Sequence, residues 1–269
     1  MLSALAGRKR LPTLLHHFDM TPETLYPTYD LWLVFASFLV STAGAYTSLW
    51  VAASMLKDQE RGASKLNIFL AGLALGGVGI WSMHFLGMIA YQVPVGVGYQ
   101  PFETLISLVA AVAVSSVALG YIAVERVSLR RLLVAGPMAG LAVAAMHYLG
   151  MDAMRFGGYF DWSWSVVGLS VLIAMVAATA ALWLAFNAHS RTHRVGAALV
   201  MGAAVCTMHY TGMAAASVIC TSADRLSVAD GLLRPRDLSF YVILVAISIA
   251  AMITMDVMMQ RMQRAQLAK

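Results

Sequence analysis

The sequence contains a series of apolar runs of 20 or more residues, and each is long enough to cross the roughly 30 Å hydrocarbon core of a bilayer as a helix. Of the 269 residues, 60% are hydrophobic and only 12% are charged, whereas charged residues make up about a quarter of a soluble domain. This composition excludes an ordinary soluble globular protein, a disordered chain and a nucleic-acid-binding domain. We predict seven transmembrane spans, at 31–56, 64–91, 104–124, 131–154, 164–188, 195–219 and 238–259.

The connectors between these spans are short, so we expect an all-α fold, a single seven-helix membrane bundle over 31–259. Residues 1–30 would then form an external N-terminal segment, and residues 260–269 a cytoplasmic tail. The basic residues set this orientation. The connectors after the first, third and fifth spans hold 8 Lys and Arg, against 4 in the alternate connectors, and cytoplasmic loops carry the excess of these residues.

Three near-identical hexapeptides indicate an internal repeat: MHFLGM at 83–88, MHYLGM at 146–151 and MHYTGM at 208–213. They lie 63 and 62 residues apart, each toward the end of an even-numbered span. We therefore predict a two-helix hairpin that occurs three times with pseudo-symmetry, followed by one final helix. A glycine precedes each motif by six residues, at Gly77, Gly140 and Gly202.

A helix turns about 100° per residue, which places both Met residues, the His and the Gly of each motif on one helix face. Pseudo-symmetry would bring the three faces to a common axis. His84, His147 and His209 would form one layer there. The last Met of each motif lies four residues further on and would form a second layer about 6 Å nearer the external surface. We expect a shallow site that is open toward that surface.

A polar side chain inside a membrane bundle is costly and is a functional hypothesis by default. Three imidazoles in a low-dielectric site cannot all be protonated, so they need either mutual hydrogen bonds or a cation. Imidazole together with thioether suits copper, particularly Cu(I). The motif face carries no carboxylate, which argues against Mg²⁺, Ca²⁺ or a di-iron site.

The three motifs closely resemble those of the MHYT domain, a bacterial integral-membrane domain named for the tetrapeptide Met-His-Tyr-Thr. The resemblance covers nearly the whole chain, and it implies an inner-membrane sensor of O₂, CO or NO that acts through bound copper. Only 208–211 matches the full tetrapeptide, since Leu replaces Thr in the other two motifs and Phe85 replaces Tyr in the first. The ligands that the resemblance implies are His84, His147, His209, Met83, Met88, Met146, Met151, Met208 and Met213.

Many members of that family carry cytoplasmic domains that make or degrade cyclic dinucleotides. We find none in this sequence, so we expect a stand-alone form whose signal passes to a separate protein. The site would then respond to a gas, to copper itself or to redox state. A copper-handling protein that delivers copper to a membrane or periplasmic enzyme is the first alternative, and a haem protein with His and Met axial ligands is the second.

The sequence does not decide whether the protein is an enzyme. A copper oxidoreductase needs an open coordination position, but such a position is not sufficient to identify an enzyme. The expected partners are the lipid bilayer, a small gas ligand and a signalling or copper-receiving protein, but not nucleic acid. Tyr148 and Tyr210 point away from the motif face, so we expect them to form hydrogen bonds or to anchor at the interface. Cys206 would border the site as a small hydrophobic residue.

Overall fold

Seven long apolar helices dominate the structure, a computed structural model that describes residues 22–57, 65–123, 128–187, 190–222 and 229–267. The predicted all-α seven-helix bundle is confirmed, and the helix ends agree with the predicted spans within a few residues, with two exceptions: the sixth helix ends at Ala214 and the residues up to 219 enter a strand, and the last helix continues to Leu267. The helices are α1 (Leu31–Lys57), α2 (Lys65–Ala90), α3 (Pro101–Ala123), α4 (Leu129–Asp152), α5 (Trp164–Asn187), α6 (Arg191–Ala214) and α7 (Pro235–Leu267).

The first six helices form a closed ring. Each packs against its neighbours in the sequence, and α6 closes the ring by packing against α1. The even-numbered helices α2, α4 and α6 also contact one another in the middle of the ring. Helix α7 lies outside and packs mainly against α2. This arrangement is the predicted threefold repeat with one helix left over.

Small residues allow the ring helices to approach closely, as is common in membrane bundles. A Cβ atom added at Gly76 of α2 would overlap the backbone of Ala111 in α3. At Gly140 of α4 it would overlap the backbone of Met175 in α5. At Gly202 of α6 it would overlap Thr42 in α1. Each even-numbered helix is therefore held against one odd-numbered partner by an equivalent glycine contact.

The sequence pattern identifies the equivalent glycine of α2 incorrectly as Gly77. Residues Leu73–Ser82 of α2 are π-helical, directly before the first motif. The i→i+5 hydrogen bonds of a π-helix add a residue to the turn, so the positions before His84 shift by one relative to the other repeats. As a result Gly76 occupies the position of Gly140, while Gly77 faces the Cδ1 atom of Ile249 in α7.

Short strands cover the end of the ring where the three motifs lie. Each follows an even-numbered helix or precedes an odd-numbered one, so the connectors poor in Lys and Arg form this layer. One antiparallel sheet has the order β1-β7-β6, and β2 pairs with β3 and β4 with β5. Hydropathy did not predict these strands, which we call the strand cap: β1 (Glu23–Leu25), β2 (Thr28–Tyr29), β3 (Tyr91–Gln92), β4 (Gly98–Tyr99), β5 (Met154–Arg155), β6 (Gly158–Trp162) and β7 (Ala216–Cys220).

The outer surface of the ring is strongly apolar. On α5, for example, Leu172 is 56% exposed and Val176 is 63% exposed. Exposed apolar surface on this scale is unfavourable in water and favourable in lipid. Together with the seven helices of spanning length, it supports a multi-pass membrane protein.

Candidate metal centre

The three motif histidines converge on the axis of the ring. The Nδ1 atom of His84 lies 3.1 Å from that of His147 and 3.1 Å from that of His209, and the remaining Nδ1–Nδ1 distance is 3.2 Å. The rings stand at 85–89° to one another, which gives the triad a nearly regular threefold arrangement. All three residues are at most 1% exposed. We call this group the His triad.

Hydrogen bonds among the three Nδ1 atoms cannot satisfy the triad. In a neutral imidazole each Nδ1 atom is either a donor or an acceptor. With three mutually adjacent atoms and two roles, at least one pair must share a role, so that two lone pairs or two N–H groups face each other. A cation at the centre removes this conflict, because all three lone pairs then point at the same positive charge.

The size of the triangle fits a metal ion. Its centre is about 1.8 Å from each Nδ1 atom, slightly less than the roughly 2.0–2.1 Å of a zinc–imidazole bond. Outward shifts of a few tenths of an ångström would suffice to reach bonding distance. Within the described ranges, the residues that gather here as a candidate metal-binding group are these three histidines.

The other ring nitrogen of each histidine lies against the glycine of another motif. A Cβ atom added at Gly150 would overlap Nε2 of His84, and the same relation holds between Gly212 and His147 and between Gly87 and His209. The three Nε2 atoms are buried, and the part of the chain that the structure describes offers them no hydrogen-bond partner. The motif glycine therefore makes room for the imidazole of a neighbouring repeat. Sequence analysis did not assign this role to it, although its place on the histidine face was the available signal.

The six motif methionines are buried around the triad-bearing segments, and none is more than 2% exposed. Met88, Met146, Met151 and Met213 belong to one apolar cluster that also contains Phe85. The methionines thus contribute thioether groups to an apolar environment near the motif end of the ring. Coordination by these sulfur atoms stays a prediction. The residues in question are Met83, Met88, Met146, Met151, Met208 and Met213.

The expectation of an open, shallow site is wrong, because the strand cap folds back over the motif end and the triad is closed from solvent. A cleft on the cap side nevertheless has Met88, Tyr91, Tyr99 and Arg234 among its lining residues. The Tyr99 hydroxyl donates a hydrogen bond to the Met88 carbonyl oxygen at 3.3 Å. Burial raises the pKa of the Tyr91 and Tyr99 hydroxyls, so both remain neutral phenols at ordinary pH.

The residue after each motif histidine packs edge-on against the imidazole. The ring centroids are 4.7 Å apart for Phe85, 4.8 Å for Tyr148 and 4.8 Å for Tyr210. The Tyr148 hydroxyl hydrogen-bonds with Ser170 on α5 at 2.6 Å, and the Tyr210 hydroxyl with Ser37 on α1 at 2.9 Å. The predicted hydrogen-bonding role of the two tyrosines is therefore confirmed.

The first repeat replaces this hydrogen bond with another. Phe85 has no hydroxyl group, and Trp81 instead donates from Nε1 to the Ser107 hydroxyl on α3 at 3.1 Å. Ser37, Ser107 and Ser170 all donate to the carbonyl oxygen three residues back, at 2.7–2.8 Å. These serines form a second pseudo-threefold set that sequence analysis missed. They pair α2 with α3, α4 with α5 and α6 with α1.

Cys206 lies beside Ser37 in the outer contact of the third repeat. It is 9% exposed and does not join the group formed by the three histidines. Its position agrees with the expected role of a small residue at the border of the site.

Comparison with known proteins identifies related signalling proteins. The family model MHYT, described as a bacterial signalling protein N-terminal repeat, matches residues 77–135 and 140–198. The chain is 41% identical over 199 residues to the bifunctional diguanylate cyclase/cyclic di-GMP phosphodiesterase MucR of Pseudomonas aeruginosa. The aligned region covers 71% of this chain and 28% of that protein.

Two further relatives show the same partial overlap. Identity is 36% over 196 residues with the cyclic di-GMP phosphodiesterase NbdA of Pseudomonas aeruginosa, covering 70% of this chain and 24% of the relative. Identity is 29% over 201 residues with the signaling protein YkoW of Bacillus subtilis, and the aligned region covers 72% of this chain and 25% of the relative. The chain spans about a quarter of the length of these relatives. No solved structure matches the chain.

Proposed function

Because the chain belongs to the MHYT family of bacterial signalling proteins, we propose that it is a membrane sensor that holds one copper ion at the His triad. It responds to a diatomic gas, to copper or to redox state, and it passes the response along its helices. The observation that carries this proposal is the triangle of Nδ1 atoms 3.1–3.2 Å apart in a closed, buried site. Hydrogen bonds alone leave that triangle in conflict, and a cation resolves it.

Charge and donor chemistry favour Cu(I) over a divalent ion. The cost of moving an ion out of water rises with the square of its charge, so a divalent ion without a carboxylate partner is the more costly occupant. His84, His147 and His209 would hold Cu(I) through neutral imidazoles and keep the net charge at +1. The surrounding methionines add soft thioether groups, which also suit Cu(I).

Bound copper would supply a centre that binds a small gas molecule or changes oxidation state. The chain supplies the remaining requirements. Three helices aim three Nδ1 lone pairs at one point, and the strand cap excludes water. The motif glycines and the edge-on aromatic rings of Phe85, Tyr148 and Tyr210 fix the orientation of each imidazole.

Helix α2 offers a route from the triad to the rest of the chain. It carries His84 directly after its π-helical segment, and Gly77 in that segment faces Ile249 of α7. A shift of α2 on ligand binding would therefore reach α7, which continues as helix beyond the membrane-spanning part to Leu267. Two relatives are named for cyclic di-GMP synthesis or breakdown. We propose a partner of the same signalling chemistry for this chain.

Copper delivery is a second candidate, supported by the cleft on the cap side that has Met88 among its lining residues. A delivery protein must release its ion. A competing copper-binding protein added on the external side would therefore remove the metal within minutes. A sensor would retain it over the same period. Haem fits less well, because Nδ1 atoms only 3.1–3.2 Å apart leave no space for a macrocycle between the imidazoles.

Equilibrium Cu(I) binding to the protein in lipid nanodiscs tests the site. Replacing His147 by Ala should weaken binding on the order of 100-fold or more, since even residues that only support metal ligands contribute 10- to 100-fold. His193→Ala is the matched control, because His193 is exposed at the start of α6 and should have no effect. Equal losses in both variants would show that the copper is bound elsewhere.

A further inference from the structure

An apolar cavity of about 60 Å³ lies inside the ring, on the side of the His triad away from the strand cap. Ile80, Val143 and Val205 are among its lining residues. Each lies four residues before the motif histidine of its helix, which is about one helical turn or 6 Å. The cavity is therefore directly beneath the triad.

The cavity is apolar and is bounded mostly by small side chains. Ser48 and Ser115 provide the polar side-chain oxygens among its lining residues. Its volume is several times the 10–15 Å³ that one water molecule needs, but a buried water also needs two to four polar partners. Alanines leave the space unfilled, at positions Ala118, Ala139, Ala174, Ala177, Ala178, Ala181, Ala185 and Ala204.

The size and the lining indicate what can enter. Protein interiors normally pack to the density of organic crystals, and an unfilled cavity lowers stability. Apolar cavities in proteins stay dry and bind xenon or small hydrocarbons. A hydrated ion or a polar metabolite would lose its water contacts here without replacement, whereas a molecule of two apolar atoms loses almost nothing.

We propose that this cavity is a docking site for a small apolar molecule of the size of dioxygen. Its relevance to signalling rests on the proposed function of the triad. It narrows the class of signal to small apolar molecules and excludes ions and polar metabolites. Occupation of the cavity itself requires no metal. The two proposals can therefore fail separately.

Dissolved dioxygen tests the cavity directly, because it is paramagnetic and speeds the relaxation of nearby nuclei. The probe is methyl-labelled methionine in copper-free, nanodisc-embedded protein under oxygen pressure. Met208 lines the cavity and is 2% exposed, whereas Met255 is 59% exposed on α7 and reports oxygen in the lipid. We expect the oxygen-induced relaxation of Met208 to be at least half that of Met255.

A cavity-filling variant gives the matched comparison. Ala178→Leu should lower the oxygen effect at Met208 at least fivefold, while Ala180→Leu, on the exposed side of the same helix, should leave it unchanged. Ala204→Leu and its exposed neighbour Ala203→Leu repeat the test on α6 if the first variant folds poorly.

No oxygen effect at Met208 in the unaltered protein, or equal effects in the filled and control variants, would overturn the proposal. Copper binding is measured on separate samples of the same protein. An oxygen effect in protein that does not take up added Cu(I) would contradict the proposed metal site and leave the cavity proposal standing, and copper uptake without an oxygen effect would do the reverse.

Discussion

The glycine at the fifth position of each motif has a specific steric role. Nε2 of His84 rests against Gly150, that of His147 against Gly212 and that of His209 against Gly87. Each repeat thus shapes the pocket for the histidine of another, and the cycle closes after three steps. The helix backbone at these three glycines fixes the position of each imidazole and therefore the direction of its Nδ1 atom. The glycines are thus supporting residues for the triad.

Gly150→Ala should displace the His84 imidazole and weaken Cu(I) binding by about tenfold or more, as the loss of a residue that orients a metal ligand does. Gly168→Ala is the control, because a Cβ atom there meets nothing within 4 Å. Copper titration of both variants decides the point. Full affinity in the Gly150 variant would mean that the imidazole position does not matter for binding.

The hydrogen bond between Tyr210 and Ser37 should stabilise the fold without ligating the metal. Tyr210→Phe removes it and should lower the free energy of unfolding by about 1 kcal/mol, the usual net value of such a bond. Copper affinity should not change. Tyr159→Phe is the comparison, since Tyr159 is 53% exposed. A loss of copper in the Tyr210 variant would place the hydroxyl in the metal site instead.

At the scale of elements, the π-helical segment sets the register of α2. Inserting one Ala after Gly77 should rotate His84 by about 100° relative to the earlier part of the helix, because the π-helical segment already accommodates one extra residue. Copper binding should then fall by about tenfold or more while helix content, measured by circular dichroism, is kept.

Gly77→Ala is the control for this insertion. Its new Cβ atom meets the flexible end of Ile249 at 2.5 Å, which can move aside without a change of register. We expect normal copper binding in that variant. Normal binding in the insertion variant as well would show that the register of α2 is not needed for the triad.

The sequence predicts those elements whose cause is local. Hydropathy defines the seven spans, and the repeated motif defines which helices carry the histidines. It does not predict the strand cap, because two- to five-residue strands pair over long sequence separations, as Glu23 does with Cys220. It also misses the π-helical segment and so identifies Gly77 in place of Gly76. The convergence of the Nδ1 atoms follows from pseudo-symmetry, but their distances do not.

At the scale of the whole molecule, six helices enclose the site and the seventh provides a continuous extension. The strand cap closes one end of the ring, and the helix starts rich in Lys and Arg lie at the other. The orientation is a prediction from the basic residues: cap outside, carboxyl end in the cytoplasm.

Cysteine labelling tests this orientation. Thr24→Cys places an exposed thiol in the cap, and Thr192→Cys places one at the opposite end of the ring. In spheroplasts a membrane-impermeant maleimide should label the first and should label the second only after permeabilisation. The native Cys206 and Cys220 are buried and provide the background control. The reverse labelling pattern would invert the topology and put the triad near the cytoplasmic face.

The central claim is that the triad is a metal site, and the metal content of the purified protein tests it most directly. Mass spectrometry of protein prepared with Cu(I) under anaerobic conditions should give about one copper per chain, as one three-histidine centre requires. Replacing His84, His147 and His209 together by Ala should remove it. No copper in the unaltered protein after copper addition, or the same copper content in the triple variant, would contradict the account.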